Sequence, residues 1–97
     1  MYPSQSEVRK QLGYVRTTGE FWWRAQPSNR VKTGGRAGTI DRGKIRIKIK
    51  IGNVKSLQYA HVLAWIMEFG PIPHGAKIVH KNGNGMDNRI ANLEMEF

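Results

Sequence analysis

Cysteine is absent from the 97 residues. That removes disulfides, thiolate metal ligands and cysteine nucleophiles together, and it fits a reducing cytoplasm. Acidic side chains are scarce, seven against sixteen lysines and arginines, for a formal net charge of +9. Long apolar runs are missing too. The longest falls far short of the ~20 residues that a membrane span needs. The opening residues, MYPSQSEVRK, hold no apolar stretch of the signal-peptide kind. The expectation is a cytoplasmic protein with no membrane partner. The length allows one small domain, 1–97, with a single core.

The shortage of acid is uneven. Residues 1–55 carry thirteen basic and three acidic side chains, a balance of +10, and residues 56–97 carry three and four, a balance of −1. The first part reads as a basic sheet and loop region built for a polyanion. The second reads as a core and a site. A cationic face attracts phosphate backbones by releasing their counterions. An acidic protein partner would suit the same charge.

What is present falls into recognisable elements. Residues 4–12 read as a short helix with Ser4 or Ser6 as its cap and Glu7 in the first turn. EFWWR, at 20–24, is a strand with Phe21 and Trp23 on one face and Trp22 on the other. Residues 25–43, rich in Gly, Ser, Asn and Pro, read as a loop that carries Arg30, Lys32, Arg36 and Arg42. KIRIKIKI, at 44–51, alternates strictly: Ile45, Ile47, Ile49 and Ile51 face inward while Lys44, Arg46, Lys48 and Lys50 face out. GN at 52–53 turns the chain, and 54–60 pairs back. AHVLAWIMEFG is apolar nearly all round, so it reads as a buried helix, with Gly70 at its C′ position. AKIVH (76–80) and LEMEF (93–97) read as strands around a tight turn, with Leu93, Met95 and Phe97 inward. The expected class is α+β, with an N-terminal antiparallel sheet of basic outer face, one buried helix and a C-terminal two-strand hairpin.

The loop inside that hairpin, IVHKNGNGMDNRIANL at 78–93, mixes chemistry with turn-making. A histidine of near-neutral pKa takes a proton from water only if a second group fixes its tautomer and orientation, and an asparagine carbonyl serves for that. By residues alone a single strand-end histidine is more often structural. His61, on the apolar helix, reads as a satisfied core histidine.

Residues 60–97 resemble the HNH, or His-Me finger, endonucleases, in particular small phage-encoded proteins related to homing endonucleases. The resemblance rests on Ala60-His61, Leu63-Ala64-Trp65, Gly70-Pro71-Ile72-Pro73, His80, Asn82-Gly83, Asp87-Asn88-Arg89-Ile90 and Asn92-Leu93. Upstream, LGYVRTTGEFWWR and GRAGTID are similar to the family's N-terminal segment. The resemblance implies that His80 is the general base, that Asn92 holds the loop and helps to orient it, that Arg89 reaches phosphate, and that one magnesium or manganese ion serves if the site is active. It also implies DNA as partner and a bacterial host cytoplasm as the setting.

Two departures follow from the same comparison. Val79 stands where such proteins usually carry a metal-binding aspartate, and residues 1–97 end where a helix with a further ligand is expected, so the hairpin reads as a truncated ββα-metal motif. Asp87 and Asn82 are weak substitutes as metal ligands. The favoured expectation is a DNA-binding HNH-type protein with weak or no cleavage. The alternatives are an active metal-dependent nicking endonuclease and a repurposed scaffold that binds and inhibits a host nuclease or nucleoprotein complex.

Overall fold

The computed structural model describes residues 2–25 and 33–97. Arg30 and Lys32 lie outside them. The class is α+β. Helix α1 spans Gln5–Gln11. Ser4, not Ser6, caps it: the Ser4 hydroxyl accepts from the Glu7 N–H at 3.1 Å and the Glu7 carboxylate accepts from the Ser4 N–H at 2.9 Å, a reciprocal capping box.

The chain then enters antiparallel sheet. β1 (Leu12–Val15), β2 (Glu20–Trp23) and β3 (Arg36–Ala37) pair in that order, and β4 (Thr39–Asp41), β5 (Lys44–Ile51) and β6 (Val54–Tyr59) form a second three-stranded sheet. So the N-terminal strands make two sheets, divided at Gly38, whose φ of 117° suits glycine. Strands β3 and β4 fall inside the stretch expected to be loop. Their partners decide the matter: Ala37 pairs with Phe21, Arg36 with Trp22 and Ile40 with Ile45. Sheet pairing overrides a weak local preference.

Strand β5 keeps its expected alternation, with Ile47 and Ile49 buried and Lys44, Lys48 and Lys50 exposed. Beyond Arg46 its outer edge has no β4 partner, since β4 ends at the Thr39–Arg46 pair. The Gln11 side chain covers that edge, donating to the Lys50 carbonyl and accepting from the Lys50 N–H, both at 2.8 Å.

Helix α2 (Ala60–Phe69) ends at Gly70, which is the C-cap itself, one residue earlier in register than the C′ expectation. Leu63, Ala64 and Ile66 are fully buried and join Val8, Leu12, Ile47, Ile49, Ile78 and Leu93 in one core. β7 (Lys77–His80) and β8 (Leu93–Glu96) make the C-terminal hairpin, with a 3-10 turn at Ile90–Asn92 leading into β8. Phe97 departs from the inward expectation. It lies past the strand and is 83% exposed, because no partner residue extends β7 opposite it. Among the described residues no helix is long and apolar enough to cross a membrane.

Candidate functional site

The β7–β8 hairpin brings His80 at the end of one strand against Leu93 at the start of the other. The twelve residues between them are held by their own side chains. The Asn92 amide donates to the Asp87 carbonyl and to Asn82 Oδ1, both at 2.9 Å, and its oxygen accepts from the Asn82 N–H at 3.2 Å. Asn82 and Asn84 each close a further local turn by accepting a backbone N–H. Asn92 therefore ties the loop together, and its side-chain hydrogen bonds all go to Asn82 and Asp87.

The side chain that meets His80 is Asn88. Its Oδ1 lies 2.8 Å from His80 Nε2, and the residue is 1% exposed. An amide oxygen only accepts, so this contact places a ring proton on Nε2, and in the neutral ring the lone pair then lies on Nδ1. Asn88 Nδ2 is buried without a partner. Such a donor costs roughly 1–3 kcal/mol, so the surroundings must fix the amide firmly.

Those surroundings come from the first sheet. The Tyr14 hydroxyl donates to the Asn88 carbonyl, and the Ile90 N–H donates to the Arg16 carbonyl at 3.0 Å. Gly19, at φ 82°, packs so closely that an added Cβ would lie 2.5 Å from the Asn88 carbonyl carbon and 2.6 Å from the Arg89 nitrogen. Burial first, and then the charge of Glu68, raise the Tyr14 phenol above its ordinary range, so it stays a protonated donor. The role of Asn88 was not legible in the sequence, where it stood only as one residue of the Asp87-Asn88-Arg89-Ile90 segment. Nothing in the DNR triplet signals a partner supplied from residues 14–19.

His61 lies behind His80, with ring centroids 4.7 Å apart in an edge-on arrangement, and Tyr59 follows at 5.4 Å from His61. Burial, then the charges of His80 and Lys44, lower the His61 pKa to about 4. The folded value lies below the ordinary 6.5, so the unfolded chain binds the proton more tightly. Stability is complete above pH 6.5 and falls as the pH drops from there toward 4, by at most about 1.4 kcal/mol per pH unit from this group. His61→Gln is expected to flatten that part of a urea-denaturation pH profile. An unchanged slope would remove His61 from the account.

The cations sort into two groups. Arg36 pairs with Glu20 at 3.1 Å, and Arg89 grips Asp87 with Nε at 2.7 Å and a terminal nitrogen at 2.6 Å. Arg46 is half-buried, not part of a fully free outer face. It lies 3.3 Å from Asp41, donates to the Tyr59 hydroxyl at 2.7 Å and stacks over that ring. Lys44 sits 5.2 Å from the same ring centre. Arg42 occupies the β4–β5 turn with φ 54°, a conformation that favours glycine or asparagine. Lys48 and Lys50 are exposed along β5, and Lys55 on β6 stands directly opposite Lys50.

A hard divalent ion requires several free oxygen ligands. Val79 offers none. The Asp87 oxygens are taken by Arg89 and Asn82, and that guanidinium is the main reason the carboxyl pKa falls to about 2. Among the described residues no group of three or more His, Cys, Asp or Glu side chains is placed to hold a metal.

No curated protein and no solved structure matches the chain. A family model does: residues 58–95 match HNH endonuclease. The match runs from the end of β6 through α2 and both strands of the hairpin, so it contains Tyr59, His61, His80, Asn88 and Asn92. From Gln58 to Met95 the chain is similar to the HNH endonuclease family.

Proposed function

We propose that this protein binds DNA through the cationic face of the β4–β5–β6 sheet, on an HNH scaffold whose cleavage is weak or lost. Phage derivation and action in a bacterial cytoplasm accompany that reading and rest on the family resemblance. One observation carries the binding. Lys50 and Lys55 stand directly opposite across two strands, Lys48 lies beside them, and no acidic residue belongs to β5 or β6. Like charges in that register destabilise a sheet, and an outside polyanion offsets that cost. The reading of weak cleavage rests on Val79 and on the occupied Asp87 carboxylate.

A second reading, an active nicking endonuclease, has one observation in its favour. Asn88 holds His80 through Nε2, so the neutral ring presents its lone pair at Nδ1, which is what a general base requires. Protein incubated with supercoiled plasmid and either magnesium or manganese separates the two. The expected result is salt-sensitive retention of the plasmid without nicking. Nicking that disappears in His80→Ala overturns the proposal in favour of the nuclease. Neither nicking nor retention moves the search to a protein partner.

A further inference from the structure

A second cationic feature lies away from both the hairpin and the outer face of β5. Between the last turn of α1 and the end of β2 is an open cleft of about 640 Å³. Lys10, Arg9 and Arg24 line it together with Trp22 and Trp23, and among the described residues no acidic side chain does. Trp23 is core and 8% exposed, whereas Trp22 is only half-buried. The Trp22 indole lies across Gly13: a Cβ added there would stand 2.0 Å from one of its ring carbons. Gly13 thus makes room for the Trp22 ring, and Trp22 also lines the cleft.

The backbone around the cleft is fixed. Arg24 donates to the Gln11 carbonyl at 2.9 Å. Trp23 accepts from Gly34 at 2.6 Å and donates to Gly35 at 2.8 Å. Arg9 is partly committed, since one guanidinium nitrogen donates to the Met67 carbonyl at 3.0 Å. Lys10 and Arg24 are exposed. Gln11 joins this cleft to the cationic strand, because its carbonyl holds Arg24 while its side chain holds the backbone of Lys50.

An aromatic face beside unbalanced cations suits a planar base joined to a phosphate. In a duplex both faces of a base are already stacked, so the face required here belongs to an unpaired nucleotide. We propose that this cleft takes one unpaired nucleotide of a single strand, its base on Trp22 and its phosphates on Lys10 and Arg24. The proposal rests on the nucleic-acid reading above and adds a preference for single-stranded or locally opened substrate.

Fluorescence anisotropy tests it with oligo-dT and oligo-rU of about 15 nucleotides and a duplex of the same length. Trp22→Ala is expected to weaken oligo-dT binding about tenfold, to leave duplex binding within about twofold, and to be rescued by Trp22→Phe. Equal losses on dT and rU assign the shared pyrimidine ring and phosphate; loss on one alone assigns its sugar or its C5 substituent as well. If Trp22→Ala melts much earlier than the parent, Lys10→Ala/Arg24→Ala replaces it, with the same single-strand-selective loss expected. Unchanged oligo-dT affinity, or equal loss on single strand and duplex, overturns the proposal. Lys48→Glu/Lys50→Glu in parallel must weaken both ligands. If the parent binds neither, the reading beneath the proposal falls with it.

Discussion

Gly19→Ala is expected to lower the unfolding free energy by about 3 kcal/mol, the sum of a left-handed backbone forced on alanine and a clash that only a backbone shift relieves. For a domain of this size that is a fall in Tm on the order of 15 °C. The clash is with Asn88 and Arg89, not with a flexible side chain, so either the β1–β2 turn or the site loop must move. The damage therefore reaches beyond stability. With the Asn88 backbone displaced, its amide loses its place on His80 Nε2, and the ring is free to change tautomer. Circular dichroism melting reads the first effect and imidazole nitrogen NMR reads the second. A Tm within about 2 °C of the parent would mean that this close approach is not maintained in solution.

The second large effect is on binding. Lys48→Glu/Lys50→Glu is expected to weaken duplex DNA binding by one to two orders of magnitude near 0.15 M salt, and to reduce the salt slope by about two. The same double substitution places a carboxylate opposite Lys55 and relieves a like-charge pair, a gain of roughly 0.2–1 kcal/mol. Weaker binding in a more stable protein is the signature of residues kept for a ligand. Lower stability together with an unchanged salt slope would show that this face supports the fold and does not touch phosphate.

The elements that were legible in the sequence are those whose pattern is long. The eight-residue alternation of β5 and the continuous apolar run of α2 each repeat often enough to set their own period. β3 and β4 have two and three residues, sit among glycines, and exist because Phe21, Trp22 and Ile45 stand beside them. No local pattern contains that information. The alternation of β5 also treats Lys44, Arg46, Lys48 and Lys50 as equals. The structure separates them, because Asp41 and Tyr59 are cross-strand neighbours of Lys44 and Arg46 and have no counterpart near Lys48. At the hairpin, the motif marks His80 and Asn92 readily. The contact between His80 and Asn88 depends on Tyr14, 74 residues away in sequence from the carbonyl it holds.

Gln11 has a meaning for the behaviour of many molecules together. The far half of β5 would otherwise present a bare strand edge of alternating isoleucines, the template on which a second chain adds itself. One amide side chain imitates the missing strand for a single residue pair and closes that template. The flanking lysines then make any approach by another copy electrostatically uphill. Keeping copies of this chain apart is thus a task of Gln11 and of its helix neighbour Glu7, whose carboxylate accepts from the Gly52 N–H at 2.7 Å.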